Sequence, residues 1–288
     1  MRVMVTGGTG TVGSQVAQRL IARGDEVAVL TRSAEKPLPQ GAKGVMGNLA
    51  EPATVRNMFK GYDALFLLNV VSPAETHEGL LGFNGARDCG VRRIVYLSVQ
   101  NADGAPHLPH FGGKLPVELA LAKSGLEYTV LRPNNFYQND YWYKDAMLQY
   151  GVYPQPLGGK GLSRVDVRDI ADAAVAALTG GGHSGETYDL VGPDAWTGES
   201  TAKAWGEALG RELRYAGDDL DAWEEQNLRY LPAALAYDFR MMYQFFQEHG
   251  LEATGEALAR VERLLGRPPR RFEDFVAETA AAWKEGGG

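Results

Sequence analysis

Short apolar runs alternate along this chain with stretches whose apolar positions recur at helical spacing. Val3, Met4 and Val5 form the first run, which suits a strand buried in a parallel sheet. Glycines follow at once, at positions 7, 8, 10 and 13. Residues 14–24 then read as a helix, with Val16 and Leu20, joined by Ala17 and Ile21, on its apolar face and Gly24 as its stop. The alternation continues. Residues 26–32, 44–49, 63–69, 92–98 and 128–133 read as strands, and residues 52–60, 77–89 and 115–124 as helices among them. Strand and helix taking turns in this way predict an α/β fold built on a Rossmann-like, doubly wound parallel sheet.

Beyond Pro133 the texture changes. Residues 134–143 crowd together Phe136, Tyr137, Tyr141, Trp142 and Tyr143. Such a segment suits either the wall of a pocket for a flat ligand, formed by Phe136, Tyr137, Tyr141 and Trp142, or a helix buried between domains. Residues 165–178 lead into an alanine-rich helix with Asp169 as the expected N-cap, and 186–191 resemble one more strand. Residues 197–283 are mainly helical, with amphipathic segments at 202–209, 234–248, 255–264 and 272–283. The expected organisation is a nucleotide-binding domain over 1–150, to which 164–192 return, and a smaller, mostly helical domain over 151–163 and 193–285. The final glycines, 286–288, are expected to be disordered.

Composition narrows the classes. Of 288 residues, 44% are hydrophobic and 23% charged, as in an ordinary globular protein. A net charge of -7 argues against a nucleic-acid binder, which needs a basic face. The lone cysteine, Cys89, excludes internal disulfides and a multi-cysteine metal site, and fits a reducing cytoplasm. The first apolar run is too short for a signal peptide, and no apolar segment approaches a membrane span. The expectation is a cytoplasmic monomer or homodimer without metal, nucleic-acid or membrane partners.

The glycine turn carries the first chemistry. Gly7, Gly10 and Gly13 give G-x-x-G-x-x-G between a strand and a helix. Gly7 permits the tight turn, Gly10 lets backbone approach a pyrophosphate, and Gly13 lets helix pack close to strand. The helix start then offers N–H groups to phosphate. The bland alternative is a turn that binds nothing. The second strand ends in Thr31-Arg32-Ser33, where a carboxylate would favour NAD. A guanidinium and a hydroxyl suit a 2′-phosphate instead, which favours NADP and leaves NAD possible. Asn48 is placed to meet the adenine edge, the strand end from Leu68 to Ser72 to pass beside the cofactor, and Ser98 to stand at a strand end where chemistry is expected.

Together these residues resemble the NmrA-like family of atypical short-chain dehydrogenases/reductases. The matching pieces are the Gly7–Gly13 motif, Arg32, Ser98, Lys114 with Glu118, Ser124-Gly125-Leu126, residues 131–136, residues 165–170 and Gly266-Arg267-Pro268-Pro269. The resemblance implies an NADP-binding sheet domain, a small helical C-terminal domain and a substrate cleft between them. It also implies a cofactor set of Gly7, Thr9, Gly10, Thr11, Val12, Gly13, Arg32, Asn48, Leu68, Asn69, Lys114, Pro133, Asn135 and Phe136. The family holds quinone and dye reductases, polyketide-tailoring reductases and non-catalytic redox sensors. One departure concerns catalysis. Short-chain dehydrogenases use Tyr-x-x-x-Lys, in which the lysine holds the nicotinamide ribose and the phenol protonates substrate. Here His110-Phe111-Gly112-Gly113-Lys114 keeps the lysine and puts an imidazole at the tyrosine position. His110 is either that acid or a loop histidine; Lys114 either holds ribose or pairs with Glu118 one turn on. The implied activity is NADPH-dependent reduction of a small, flat quinone or carbonyl, including aromatic natural-product intermediates, at Lys114, His110 and Ser98. The competing implication is a cofactor sensor that binds a protein partner.

Overall fold

The computed structural model describes residues 1–285; the terminal glycines 286–288 lie outside the described residues. In chain order the elements are β1 (Arg2–Val5), α1 (Thr11–Ala22), β2 (Glu26–Thr31), β3 (Lys43–Met46), α2 (Pro52–Met58), β4 (Ala64–Leu67), α3 (Glu75–Asp88), β5 (Arg93–Leu97), α4 (Pro109–Gly112), α5 (Leu115–Ala122) and β6 (Glu127–Pro133). A 3₁₀ helix over Tyr137–Tyr143 follows, then α6 (Lys144–Tyr150), β7 (Val152–Tyr153), α7 (Val167–Thr179), β8 (Glu186–Leu190), α8 (Gly198–Leu209) and β9 (Arg214–Tyr215). The chain ends with α9 (Leu220–Asn227), α10 (Ala233–His249), α11 (Gly255–Leu265) and α12 (Phe272–Glu285).

The chain forms two compact units. The first holds Met1–Pro133 and Val167–Leu190; the second holds Asn134–Asp166 and residues 191–285. The chain thus leaves the first unit at Pro133, where residue 150 was expected, because the aromatic segment after β6 packs with the helical part.

In the first unit, among the described residues, seven strands form one parallel sheet in the order β3-β2-β1-β4-β5-β6-β8. This is the doubly wound arrangement expected. Val3, Met4, Val5 and all of β4 are fully buried, since helices cover both faces of the central strands. On one face Met4, Leu65, Ile94, Tyr96 and Val130 meet Val55, Met58, Phe59, Phe83, Val117 and Leu121 from α2, its C-terminal end, α3 and α5. On the other, α1 buries Val12, Val16, Ala17 and Leu20 and packs on α7, whose Ala173, Ala174 and Ala177 allow close approach. Arg19 pairs with Asp172 across that contact. Helix α7 starts at Val167, so Asp169 lies inside its first turn and is not the N-cap read from sequence.

The second unit is built on aromatic packing and one buried ion pair. Trp205 stacks on Trp283 at 4.9 Å, and Tyr137, Phe272 and Phe275 cluster at 5.0–5.9 Å. Two-residue strands β7 and β9 pair in parallel, an element too short for the sequence pattern to reveal. At the centre Arg164 and Asp140 are fully buried and bonded at 2.7 Å. The carboxylate also accepts from Trp205 Nε1 at 2.8 Å and Tyr153 OH at 2.9 Å, and the guanidinium lies 5.0 Å from the Phe272 ring. Burial, the largest influence, would lower the guanidinium's pKa; the Asp140 carboxylate, with Tyr153 and Tyr137, together outweighs it and raises the pKa above its ordinary value. Arg164 further donates to Asn135 Oδ1 at 3.0 Å and to the Phe136 carbonyl at 2.9 Å, so one side chain fixes the segment that leaves β6. Arg164→Met would strand a buried carboxylate and should cost about 3–5 kcal/mol of stability, read as a lower urea midpoint by tryptophan fluorescence. An unchanged midpoint would show that the pair holds nothing together.

Candidate functional site

The site grows from the point where the sheet reverses direction, between β1 and β4. Thr6 ties the two strand ends. Leu68 N–H donates to Thr6 Oγ1 at 2.7 Å, and that hydroxyl lies 2.9 Å from the Leu68 carbonyl. The chain then turns through Gly7 in the left-handed region, φ +62°, where a Cβ would fall 2.0 Å from Leu68 Cδ2. Gly13 closes over the turn, and a Cβ there would sit 2.3 Å from the Gly7 carbonyl oxygen. Gly7 and Gly13 are therefore demanded by the protein's own packing. Gly10 differs: its φ is -94°, open to any residue, and the only neighbour of an added Cβ is Gly7 O at 3.3 Å. Gly10 is also the N-cap of α1 and supplies no capping side chain, so the helix start faces outward uncapped.

A cavity of about 530 Å³ opens over this turn, lined among others by Thr6, Gly7, Thr9, Gly10, Thr31, Arg32, Ser33, Lys36, Asn48, Leu68, Asn69 and Glu78. It brings together Gly7, Thr9, Gly10, Arg32, Asn48, Leu68 and Asn69 of the expected set. Thr11, Val12 and Gly13 follow in the first turn of α1 without lining it, and Pro133, which ends β6, is buried. Lys36 is the cation that sequence reasoning missed; it lies in an irregular stretch after β2, where only its spacing from Arg32 gave a signal. Asn69 is 8% exposed, and neither atom of its amide has a hydrogen-bond partner among the described residues. An unsatisfied buried amide on a groove wall is unusual in a folded protein. A bare-backbone turn, an uncapped helix start, two cations and an orphan amide fit a phosphorylated dinucleotide. Asn48 is less available than expected. Its Nδ2 donates to Glu51 at 3.1 Å and its Oδ1 accepts from Ala50 N–H at 3.1 Å, both serving the turn into α2.

Lys114, Ser98 and His110 belong to the same unit, and none lines that cavity. Lys114 is 7% exposed, at the start of α5, as Pro116 in the first turn requires. Its ammonium pairs with Glu75 on α3, not with Glu118 one turn on. Glu118 is taken by Arg132, which binds both its oxygens at 3.0 and 2.6 Å, and by the Ser98 hydroxyl, which donates to it. Ser98's proton is thereby engaged. His110 is 8% exposed on the short α4, edge-on to Phe111 at 4.8 Å. Tyr96 lies in the core beneath with its hydroxyl unpartnered among the described residues; burial, then Glu75 and Glu118, push its pKa well up, so the phenol keeps its proton.

In the second unit, Asn135 and Phe136 are half-buried and held by Arg164. Tyr137 is fully buried against Phe272 and Phe275, with its hydroxyl donating to the Arg270 carbonyl at 3.1 Å. That core position removes it from any pocket wall. Tyr141 and Trp142 are exposed. A larger hollow of about 900 Å³ lies along α8 and β9, where Lys203, Arg211 and Arg214 mix with Glu199, Glu207 and Glu212. Its lining mixes charges of both signs and, among the described residues, holds no unsatisfied buried amide, so the candidate site is the smaller groove. Among the described residues no helix is long and apolar enough to cross a membrane.

Comparison with known proteins places the chain in a family. Residues 1–276 match the model of the NmrA-like family, and the chain belongs to that family. It is 32% identical over 287 residues to an NAD(P)H azoreductase of Xenophilus azovorans, covering 98% of this chain and 99% of that one. It is 32% identical over 286 residues to a (4-alkanoyl-5-oxo-2,5-dihydrofuran-3-yl)methyl phosphate reductase of Streptomyces griseus, with 98% and 99% coverage. In fold it is similar to an NADPH-dependent quinone oxidoreductase from Escherichia coli solved with NADPH, at a TM-score of 0.85 and 24% identity, covering 96% of this chain and 99% of that chain.

The contrast among the glycines is testable. Gly13→Ala should lose about 1–3 kcal/mol by overpacking against the Gly7 backbone, whereas Gly10→Ala should stay within about 1 kcal/mol of wild type. Thermal unfolding by circular dichroism decides; equal losses would mean Gly10 is structural too.

Proposed function

We propose that this NmrA-like chain is an NADPH-dependent reductase that delivers hydride to a small, flat quinone or related carbonyl compound. The observation that carries the reading is the first-unit groove, whose bare turn and orphan Asn69 amide lie within one cavity with Arg32 and Lys36. The names of both relatives at 32% identity describe reductases, one of them using NAD(P)H, which supports the same reaction class. When bound, the nicotinamide supplies the hydride.

The chain's own residues then divide the work. The backbone around Gly10 and the start of α1 hold the pyrophosphate. Arg32, Lys36 and Ser33 hold the 2′-phosphate, and Asn69 satisfies its amide on the adenosine side. Lys114 orients the nicotinamide ribose. His110 donates a proton when the acceptor is a simple carbonyl, since an imidazole exchanges protons near neutral pH; a quinone's reduced anion takes its proton from solvent. The Ser98 hydroxyl is assigned to Glu118 and not to the acceptor.

Two measurements test this. Arg32→Ala should weaken NADPH by about 1.5–3 kcal/mol and leave NADH almost untouched, with Lys36→Ala acting in the same direction; fluorescence titration of both cofactors reads it, and equal loss for both would refute the phosphate assignment. Wild type should oxidise NADPH with a naphthoquinone, an azo dye or a flat aromatic ketone. His110→Ala should slow only the ketone, by about 10²–10⁴-fold. Firm NADPH binding with no oxidation by any acceptor would replace the reductase with a cofactor sensor.

A further inference from the structure

The lysine assigned to the nicotinamide ribose does not stand alone. Its ammonium is ion-paired with Glu75, 3% exposed, from the first turn of α3. The starts of α3 and α5 are joined at two further points. Thr76 Oγ1 donates to the Gly113 carbonyl at 2.6 Å, and Gly79 lies so close to Val117 that a methyl there would fall 2.7 Å from Cγ2. Glu75 therefore sits on a rigid mount. The mount continues into the groove wall: Glu75 N–H donates to the Ser72 carbonyl at 3.0 Å, and Asn69, Val70 and Ser72 line the groove. The same methyl at Gly79 would lie 3.5 Å from Asn69 Oδ1. One short segment shapes the nucleotide groove on one side and grips the lysine on the other.

A buried ammonium on a flexible four-carbon stem has two problems, an unbalanced charge and many rotamers. The Glu75 carboxylate removes both. We propose that Glu75 is the positioning residue for Lys114: it fixes the ammonium in register with the groove wall and neutralises it. Lys114 then acts as an aimed hydrogen-bond donor to the ribose and not as a free charge for the acceptor. The inference rests on the reading of Lys114 given above.

The test compares wild type with Glu75→Gln, Glu75→Asp, Lys114→Met and the double variant Glu75→Gln/Lys114→Met. Calorimetric titration uses NADPH and 2′,5′-ADP, a probe that keeps the adenosine phosphates and lacks the nicotinamide ribose. Glu75→Gln should weaken NADPH about tenfold and leave 2′,5′-ADP within about twofold, and Glu75→Asp should recover part of the loss. Single-turnover NADPH oxidation by 1,4-naphthoquinone should fall roughly 10–100-fold in Glu75→Gln, with no added loss when the change is made on Lys114→Met. Equal weakening of NADPH and 2′,5′-ADP would mean that Glu75 only supports the wall, and would overturn the inference. So would a Glu75→Gln effect that persists in full on Lys114→Met, or a normal Glu75→Gln beside a crippled Lys114→Met. Wild-type affinity and turnover in Lys114→Met would instead refute the ribose reading itself. Should Glu75→Gln fail to fold, Glu75→Asp, with the same charge and a shorter reach, reads the same contrast.

Discussion

The nucleotide unit depends on one close approach. The first turn of α1 lies against the Gly7 carbonyl at a distance that admits no side chain on Gly13. That contact sets how α1 leaves the sheet, and two consequences follow. The helix buries Val12, Val16, Ala17 and Leu20 and packs on α7, completing one face of the core. Its start stays open over the reversal point of the sheet, where Thr6 pins the ends of β1 and β4. Gly7 and Gly13 are thus fixed by the protein's own packing, whereas Gly10 is not.

What the sequence makes legible is what local pattern encodes. A three-residue apolar run before glycines, apolar positions at helical spacing and glycine stops are short-range signals, and the sheet, its helices and the turn follow from them. The site's polar side chains are less legible because their partners come from afar. Local spacing offers Lys114 the carboxylate of Glu118; the fold supplies Glu75 from a different helix and hands Glu118 to Arg132 on β6. Asn48 looked outward until its own turn claimed both ends of its amide. Tyr137 carries the same composition signal as Tyr141 and Trp142, yet only the first enters the core, because a 3₁₀ helix turns the segment and composition holds no phase.

Each unit places a buried cation–carboxylate pair where an irregular segment must hold one shape. Arg164 with Asp140 gathers two backbone-linked acceptors of the segment after β6, and Lys114 with Glu75 joins two helix starts. Buried charges are expensive to leave unmatched, so each pair penalises any arrangement that separates its members. Precision at a site made of loops and helix ends comes from such penalties, because these places lack the repetitive bonding of a sheet.

The departure of the chain at Pro133 and its return at Val167 matters during synthesis. A nascent chain that has just delivered β6 holds six of the seven strands, yet the side of β6 that β8 will occupy is unpaired, and the apolar face of α1 lacks α7. Both gaps close only after the entire excursion of residues 134–166 has left the ribosome. An N-terminal half that resembles a finished nucleotide-binding module is, through that interval, an open sheet edge beside bare hydrophobic surface, the state chaperones recognise and aggregation exploits. The order of the gene, more than the order of the strands, decides how long that exposure lasts.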